Sequence, residues 1–286
     1  VLYTLNGGQT NYTMLSVDGL VFTASNTSIA DGTYTFKAYV NDTSGNRNDT
    51  SSVTFSVNTS NAITYCRKLD LINTVYQLKN NIVASGDCFV VNATNVTLEG
   101  NGYSITYGQS SDGNAIFANG LSNITIKNIT LVVNNSNRKN SRAIRIENGA
   151  KINLSNINII TNCSTSSTAG CDGILLVNTE EVYIYNARIN TTLSGNSNAI
   201  LIKNTGAGSD HKNHKIYNSE LNVYGAQSSG IEITGFNAGV SNSIIEDTSI
   251  YSDQYYGVRV NGGTSGSGNI NITRSNIMSN LQNRYA

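Results

Sequence analysis

The sequence has little charge and no bias toward one sign. Only 13% of its 286 residues are charged, and 18 basic residues balance 18 acidic ones. Nucleic acids and anionic membranes are held mainly by basic side chains, so this balance argues against both partners. No apolar run is long enough to span a bilayer. Polarity comes instead from uncharged side chains, above all 44 asparagines, a composition typical of extracellular β-proteins.

Targeting signals and metal-binding cysteine motifs are also missing. The chain begins at Val1 with neither an initiator methionine nor a signal peptide, which indicates a processed or truncated chain. No Cys-x-x-Cys motif is present and no cysteine has a histidine nearby, so a zinc site on sulfur is not expected. We expect no metal and no other cofactor.

The four cysteines form two close pairs in the sequence, Cys66 with Cys88 and Cys163 with Cys171. An even number at short separation predicts two disulfides in an oxidising compartment, and therefore an extracellular or cell-surface location. Four free buried thiols are the alternative.

Asn-x-Ser/Thr sequons are frequent, which permits a glycosylated surface protein. Many arise by chance in a chain this rich in Asn and Thr. The candidate glycosylation sites are Asn11, Asn26, Asn41, Asn48, Asn58, Asn92, Asn134, Asn162 and Asn190.

Residues 1–60 alternate apolar and polar side chains with a period of two between turn clusters. The clearest run, 34–40, places Tyr34, Phe36, Ala38 and Val40 on one face. Short alternating strands at this spacing predict a β-sandwich domain over residues 1–60.

The runs 3–8, 31–46 and 52–57 resemble the immunoglobulin-like modules of archaeal and bacterial surface proteins. Such a sandwich has seven strands, whereas about five are recognisable in this sequence. Two explanations remain open. A strand from another subunit completes the sandwich, or the chain is truncated.

A repeat organises the rest of the chain, from Cys88 to Ala286. A small residue, an apolar residue, any residue and a further small or aliphatic residue recur every 26 to 31 positions. Self-similarity at this period predicts a solenoid. The repeats begin at Cys88, Ala115, Ala143, Gly173, Ala199, Gly230 and Gly257.

Each repeat carries two further short strands, with an Asn or Asp between them. A short polar side chain at a tight corner tolerates left-handed backbone and can bond to the next coil. This predicts a ladder along the solenoid, formed by Asn128, Asn156, Asn186, Asn218 and Asp247.

Three strands per coil and an Asn ladder predict a right-handed parallel β-helix of about seven coils over residues 61–286, with 61–87 as its N-terminal cap. The repeats resemble the pectin-lyase-like β-helix superfamily, and most closely those of secreted archaeal proteins. The predicted fold class is therefore all-β, a β-sandwich followed by a β-helix.

The resemblance implies that an enzyme would carry carboxylates, calcium ligands or a basic residue on the outward face of the first strand or in its flanking loops. Here the outward positions are Phe117, Arg145, Leu175, Leu201, Glu232 and Arg259. Glycoside hydrolysis needs two carboxylates, and this row supplies one. Asp172 lies in a fragment similar to part of a polygalacturonase motif, but the accompanying motifs are missing, so we interpret it as a turn residue. No catalytic residue is predicted.

Two other groups are weaker candidates. His211 and His214 lie within the segment 210–215, which suits a metal or acid–base site but is also typical of a solvated turn. Tyr183, Tyr185 and Tyr217 would form an aromatic patch for sugars, or would simply pack on the sheet surface.

An apolar row suggests a covered surface. Phe117, Arg145, Leu175 and Leu201 form a candidate assembly surface, with a packed N-terminal domain as the alternative. We predict a structural subunit of an extracellular filament or cell-surface assembly that self-associates into a homopolymer, without enzymatic activity. A glycan-binding surface adhesin is the alternative, and a polysaccharide lyase or hydrolase is third.

Overall fold

The computed structural model describes residues 1–26, 29, 32–57, 61–163, 170–192, 197–205, 211–225, 227–235, 240–261 and 269–280. These residues are all-β, and within them no helix could span a membrane. The chain divides into two compact units, Val1–Asn61 and Ala62–Ala286.

Short antiparallel strands make up the first unit. They are β1 (Leu2–Thr4), β2 (Asn11–Thr13), β3 (Leu15–Ser16), β4 (Phe22–Thr23), β5 (Gly32–Asn41), β6 (Arg47–Asp49) and β7 (Val53–Val57). The strand β5 pairs with β1, β6 and β7, and β2 pairs with β1, while β3 and β4 form a separate hairpin. The described strands form one sheet and one hairpin, so the immunoglobulin-like sandwich stays a prediction.

Little of this unit is buried. Tyr3 and Thr4 are its buried residues among those described. The Tyr3 ring lies 5.2 Å from the ring of Tyr12 and 6.0 Å from that of Phe36, and these contacts gather the apolar side chains on one face of the sheet. The apolar–polar alternation did not predict strand β6, because all three residues of Arg47–Asp49 are polar.

The following strands build the second unit. In chain order they are β8 (Asn61–Ile63), β9 (Lys68–Leu69), β10 (Thr74–Leu78), β11 (Ile82–Val83), β12 (Phe89–Val91), β13 (Val96–Glu99), β14 (Ser104–Thr106), β15 (Asn114–Asn119), β16 (Ser122–Asn135), β17 (Arg142–Glu147), β18 (Ala150–Cys163), β19 (Ile174–Val177), β20 (Glu180–Thr192), β21 (Ile200–Asn204), β22 (His211–Lys212), β23 (Lys215–Tyr217), β24 (Glu220–Tyr224), β25 (Ile231–Gly235), β26 (Val240–Ser241), β27 (Ser243–Glu246), β28 (Ser249–Ser252), β29 (Val258–Asn261), β30 (Ile270–Thr273) and β31 (Asn276–Ser279).

Parallel pairing joins each coil to the next. Sheet 1 contains β9, β12, β15, β17, β19, β21, β25 and β29. Sheet 2 contains β8, β10, β13, β23, β27, β30 and the first halves of β16, β18 and β20; sheet 3 contains β11, β14, β24, β28, β31 and the second halves of β16, β18 and β20. The prediction of a parallel β-solenoid is confirmed, and each of the seven repeats leads into a strand of sheet 1.

The core is a stack of aliphatic side chains in register. Ile116 pairs with Ile144, Ile144 with Ile174, and Ile174 with Ile200, and all four are fully buried. Burying an isoleucine stabilises the fold by about 1.5–3 kcal/mol. Each coil therefore buries its apolar face against its neighbours, as the repeat predicts.

The small residue before each strand of sheet 1 has a packing cause. A Cβ on Gly173 would lie 2.6 Å from both the carbonyl oxygen of Ala199 and Cγ2 of Ile189. The corner between sheets 3 and 1 thus approaches the next coil too closely for a larger side chain.

Asparagines line the corner between sheets 2 and 3. Asn128, Asn156 and Asn186 have φ near +50°, and Nδ2 of each of the last two donates to Oδ1 of the previous one at 2.9 and 2.8 Å. Asn218 and Asp247 share the left-handed backbone, but Asp247 accepts hydrogen bonds from Arg274 instead. A second ladder joins Asn119, Asn148 and Asn178 after sheet 1.

Both predicted disulfides are present. Cys66–Cys88 joins the residues just before β9 and β12, which are neighbouring strands of sheet 1, and Cys163–Cys171 joins the end of β18 to the segment before β19. The alternative of four free thiols is therefore excluded.

Candidate functional site

The outer face of sheet 1 is a row of side chains in register. From β15 to β29 the row contains Phe117, Arg145, Leu175, Leu201, Glu232 and Arg259, as the repeat predicted. It divides into two charged ends and an apolar middle.

At the first charged end, Arg145 contacts two side chains, Glu147 and Phe117. Its Nη2 lies 2.6 Å from Oε1 of Glu147, and its guanidinium carbon lies 5.4 Å from the centre of the Phe117 ring. Glu147 is two residues further along β17 and therefore on the same outward side. Glu147 was not predicted from the sequence, because the repeat marks only one outward position in each strand.

The apolar middle of the row is only partly exposed, and the assembly surface stays a prediction. Leu175 is only 6% exposed, and Phe117, Arg145 and Leu201 are half-buried. These leucines separate the two charged ends and present little apolar surface to a partner.

The second charged end combines charge with aromatic rings. Nη1 of Arg259 lies 3.1 Å from Oε1 of Glu232, and the guanidinium carbon lies 5.3 Å from the centre of the Tyr255 ring and 5.9 Å from that of Tyr256. The two rings meet edge to face at 4.4 Å. We refer to Glu232, Tyr255, Tyr256 and Arg259 as the Glu232 cluster.

This cluster offers the groups that a sugar needs. The Tyr256 side chain is 41% exposed, so its ring is open to a ligand. An aromatic ring packs against the apolar face of a pyranose, while a carboxylate accepts and a guanidinium donates hydrogen bonds to hydroxyls. The Arg259–Glu232 bond holds both polar groups in place beside the rings.

Glu147 and Glu232 are too far apart to serve one glycosidic bond. Their strands, β17 and β25, are separated by β19 and β21, which is roughly 14 Å at ~4.8 Å per strand. Glycosidase carboxylates are roughly 5–10 Å apart. Glu147 therefore cannot act with Glu232 on one glycosidic bond, and the two residues do not form a catalytic dyad.

Asp172 lies just before β19 of sheet 1, in a buried polar cluster. Its Oδ2 lies 3.2 Å from Nε of Arg142, and its Oδ1 accepts from the backbone N–H of Asn198 at 3.0 Å. Burial raises the pKa of Asp172, and Arg142 opposes this shift. Only 2% of the residue is exposed, so Asp172 links coils and does not face solvent.

The histidine segment lies partly outside the described residues, so a metal or acid–base site at His211 and His214 stays a prediction. His214 is buried, while Asp210 and the side chain of His211 lie outside the described residues. No group of three His, Cys, Asp or Glu residues with metal-ligating spacing occurs in the described part of the chain.

The candidate glycosylation sites differ in their surroundings. Asn11, Asn26, Asn41, Asn48, Asn92 and Asn134 are exposed, Asn162 and Asn190 are half-buried, and Asn58 lies outside the described residues. Nδ2 of Asn162 donates to Oδ1 of Asn134 at 2.8 Å, and Nδ2 of Asn222 donates to Oδ1 of Asn190 at 3.0 Å. Glycosylation stays a prediction.

No family model and no curated protein matches the sequence. Among solved structures, the chain is similar to the catalytic domain of GH87 α-1,3-glucanase in complex with nigerose, with 17% identity and a TM-score of 0.41. The match covers 75% of this chain and 39% of the other. An identity and TM-score this low assign no substrate or mechanism to this chain.

The match nevertheless contradicts two predictions, because the similar structure is the catalytic domain of an enzyme. The prediction of a filament or cell-surface structural subunit is wrong, and so is the prediction of a chain without enzymatic activity. Both depended in part on an outward row that supplies only one carboxylate, and the filament prediction depended also on the incomplete sandwich and the disulfides. In the structure, Tyr255 and Tyr256 join Glu232 and Arg259 from the turn before β29, which the row alone could not reveal.

Proposed function

We propose that this chain acts on an extracellular polysaccharide, which it binds at the Glu232 cluster on sheet 1. The observation that carries the proposal is the Arg259 guanidinium, which bonds to Glu232 and lies over the rings of Tyr255 and Tyr256. Two disulfides support a location in an oxidising compartment.

The cluster assigns a role to each group. Tyr256 stacks on one sugar ring, and Arg259 donates hydrogen bonds to its hydroxyls. Glu232 accepts hydrogen bonds and is the group that would exchange a proton during hydrolysis. Hydrolysis by the usual route requires a second carboxyl group, so the experiment measures binding and cleavage separately.

The test compares the wild-type chain with two variants. Glu232→Gln removes the charge inside the cluster, and Glu180→Gln removes an exposed carboxylate at the start of β20, outside the cluster. Each protein is incubated with α-1,3-glucan, β-1,3-glucan and β-1,4-glucan. Bound protein is measured by sedimentation with the polymer, and released reducing ends are measured in the supernatant.

We expect saturable binding to at least one glucan, weakened about tenfold or more by Glu232→Gln and unchanged by Glu180→Gln. Release of reducing ends that is lost in Glu232→Gln would assign hydrolysis to the cluster. Equal behaviour of the two variants would contradict the proposed site.

A further inference from the structure

A second group of aromatic side chains lies on the outer face of sheet 2. Tyr185 of β20 is in register with Tyr217 of β23, and Tyr183 is two residues before Tyr185 on the same side. Tyr183 and Tyr185 are 38% and 50% exposed, and Tyr217 is half-buried. Nζ of Lys215 lies 5.4 Å from the centre of the Tyr183 ring and fixes one edge of the group.

Hydrogen-bonding side chains extend this face toward the N-terminal coils. Ser155 is in register with Tyr185, and Asn153 with Tyr183. Thr125 is in register with Asn153 on the coil before. Hydroxyl and amide groups therefore continue the line of the rings along the solenoid axis, one coil at a time.

Charges on this face include two ion pairs and Lys215, whose Nζ lies beside the Tyr183 ring. Nζ of Lys127 lies 3.2 Å from Oε2 of Glu99, and Nη2 of Arg274 lies 2.7 Å from Oε1 of Glu246. Lys215 adds positive charge beside the tyrosines, but the neutral Ser155, Asn153 and Thr125 that continue their line favour an uncharged ligand over a polyanion. Aliphatic side chains, which dominate the core of a protein–protein interface, are also scarce between Thr125 and Tyr217.

We propose that the outer face of sheet 2 is a second polysaccharide-binding site, which takes a neutral glucan chain running along the solenoid axis. Tyr183, Tyr185 and Tyr217 stack on sugar rings, and Ser155 and Asn153 bond to hydroxyls of the preceding sugars. The coil spacing of ~4.8 Å is comparable with the length of one pyranose, so successive coils can meet successive sugars. This site lies on a different sheet from the Glu232 cluster and rests on separate contacts.

The absence of tryptophan from the chain gives a direct test. The Tyr185→Trp variant has one tryptophan, whose emission reports only on sheet 2. It is titrated with soluble dextran, laminarin and polygalacturonate, in the otherwise native chain and in the Glu232→Gln background. We expect a saturable change in emission with at least one neutral glucan, and the same titration curve in both backgrounds.

Substitutions at Tyr185 and Tyr217 distinguish stacking of the rings on sugars from packing of the rings on the sheet surface. We expect the Tyr185→Ala/Tyr217→Ala variant to bind the responding glucan roughly tenfold more weakly, whereas Tyr185→Phe/Tyr217→Phe keeps the rings and most of the affinity. Tyr65→Ala, which removes an exposed tyrosine from the segment before the first coil, is the control and should bind as wild type. Circular dichroism and thermal melting check that each variant is folded.

Three results would overturn the proposal: no change in Tyr185→Trp emission with either neutral glucan, a response to polygalacturonate alone, or undiminished binding by the folded double alanine variant. A response that vanishes in the Glu232→Gln background would assign the signal to the sheet 1 cluster and would also overturn it. If Glu232→Gln bound glucan as tightly as the wild-type chain while Tyr185→Trp still responded, only the sheet 1 site would be refuted.

Discussion

The two units of this chain use β-strands in opposite ways. In the solenoid, aliphatic side chains from three sheets meet in register, and residues such as Ile116, Ile159 and Ile200 are fully buried. In the unit Val1–Asn61, the described strands form one sheet and a hairpin, and Leu15, Val17 and Leu20 are largely exposed. The repeat supplies every coil with a neighbour, whereas the described strands of the first unit bury little more than Tyr3 and Thr4.

This difference indicates where stability and function are located. The coils of the solenoid bury one another's apolar side chains and so stabilise the fold. The outward side chains are not needed for this packing and can serve other roles. The outer face of sheet 1 carries the Glu232 cluster, and that of sheet 2 carries the tyrosines. Matched changes in the two units should therefore have very different effects on stability.

Removing core side chains should show the largest difference. Ile159→Ala leaves a cavity in the fully buried stack and should lower the free energy of unfolding by about 2–5 kcal/mol. Val53→Ala removes a side chain that is 58% exposed and should change it by less than about 0.5 kcal/mol. Urea titration followed by circular dichroism measures both. Similar losses would contradict the contrast between the units.

Disulfide removal should have the next largest effect, and only on the solenoid. Cys66 and Cys88 are 22 residues apart, so Cys66→Ser/Cys88→Ser should cost about 3 kcal/mol by loss of the constraint on the unfolded chain. Cys163→Ser/Cys171→Ser opens a separation of 8 residues and should cost slightly less. Limited proteolysis with mass mapping should show new cleavage sites after residue 61 and an unchanged pattern before it.

The asparagine corners should tolerate glycine better than alanine. Asn156 has a φ of +52°, and alanine there should cost about 1–2 kcal/mol, because left-handed backbone is unfavourable for a side chain with a Cβ. Asn156→Gly loses the ladder hydrogen bonds but relieves the backbone, and should cost less. Asn48→Ala, at an exposed site in β6, serves as the control in the first unit. Thermal melting should rank the alanine variant at residue 156 as the least stable of the three.

Acid titration should give the smallest difference. Partial burial by itself raises the pKa of Glu99, but the N–H of Asn101 and the side chains of Asn128 and Lys127 outweigh it and hold the pKa below its usual value. A lowered folded pKa stabilises the fold above the unfolded value, and this contribution is lost as the pH falls through the folded pKa.

Glu99→Gln should therefore reduce stability at pH 7 by less than about 1 kcal/mol and lessen the further loss between pH 5 and pH 3. Asp42→Asn is the matched change in the first unit, where the side chain and then the backbone N–H of Asn46 hold the pKa of Asp42 below its usual value. Urea titrations at several pH values would count against this explanation if Glu99→Gln lost stability with acid as steeply as wild type.

The sequence allowed the solenoid to be predicted because its cause is local and repeated. The small residue before Ile174, the inward isoleucines and the corner Asn156 recur at one spacing, and each reflects a packing or backbone requirement of a single coil. The disulfides were predictable for a similar reason, since Cys66 and Cys88 are about one coil apart.

The site was harder to predict because its parts come from different positions of different coils. Arg259 meets Tyr255 and Tyr256 because the segment between β28 and β29 places both rings beside its guanidinium. Asp172 resembles a turn residue in sequence, and only the stacking of coils brings Arg142 and Asn198 to it. The repeat placed Arg259 in the outward row, but its spacing did not include the two adjacent tyrosines, which were the remaining signal in the sequence.

The most direct measurement for the proposed function is a titration of Tyr256→Trp, which places the single tryptophan of the chain inside the Glu232 cluster. Soluble α-1,3-linked glucan oligosaccharides of increasing length are added while tryptophan emission is recorded. We expect a saturable change in emission, with an affinity that falls about tenfold when Glu232→Gln is introduced into the same variant. Emission that stays unchanged across these oligosaccharides and across other neutral glucans would contradict the proposal that this cluster binds a polysaccharide.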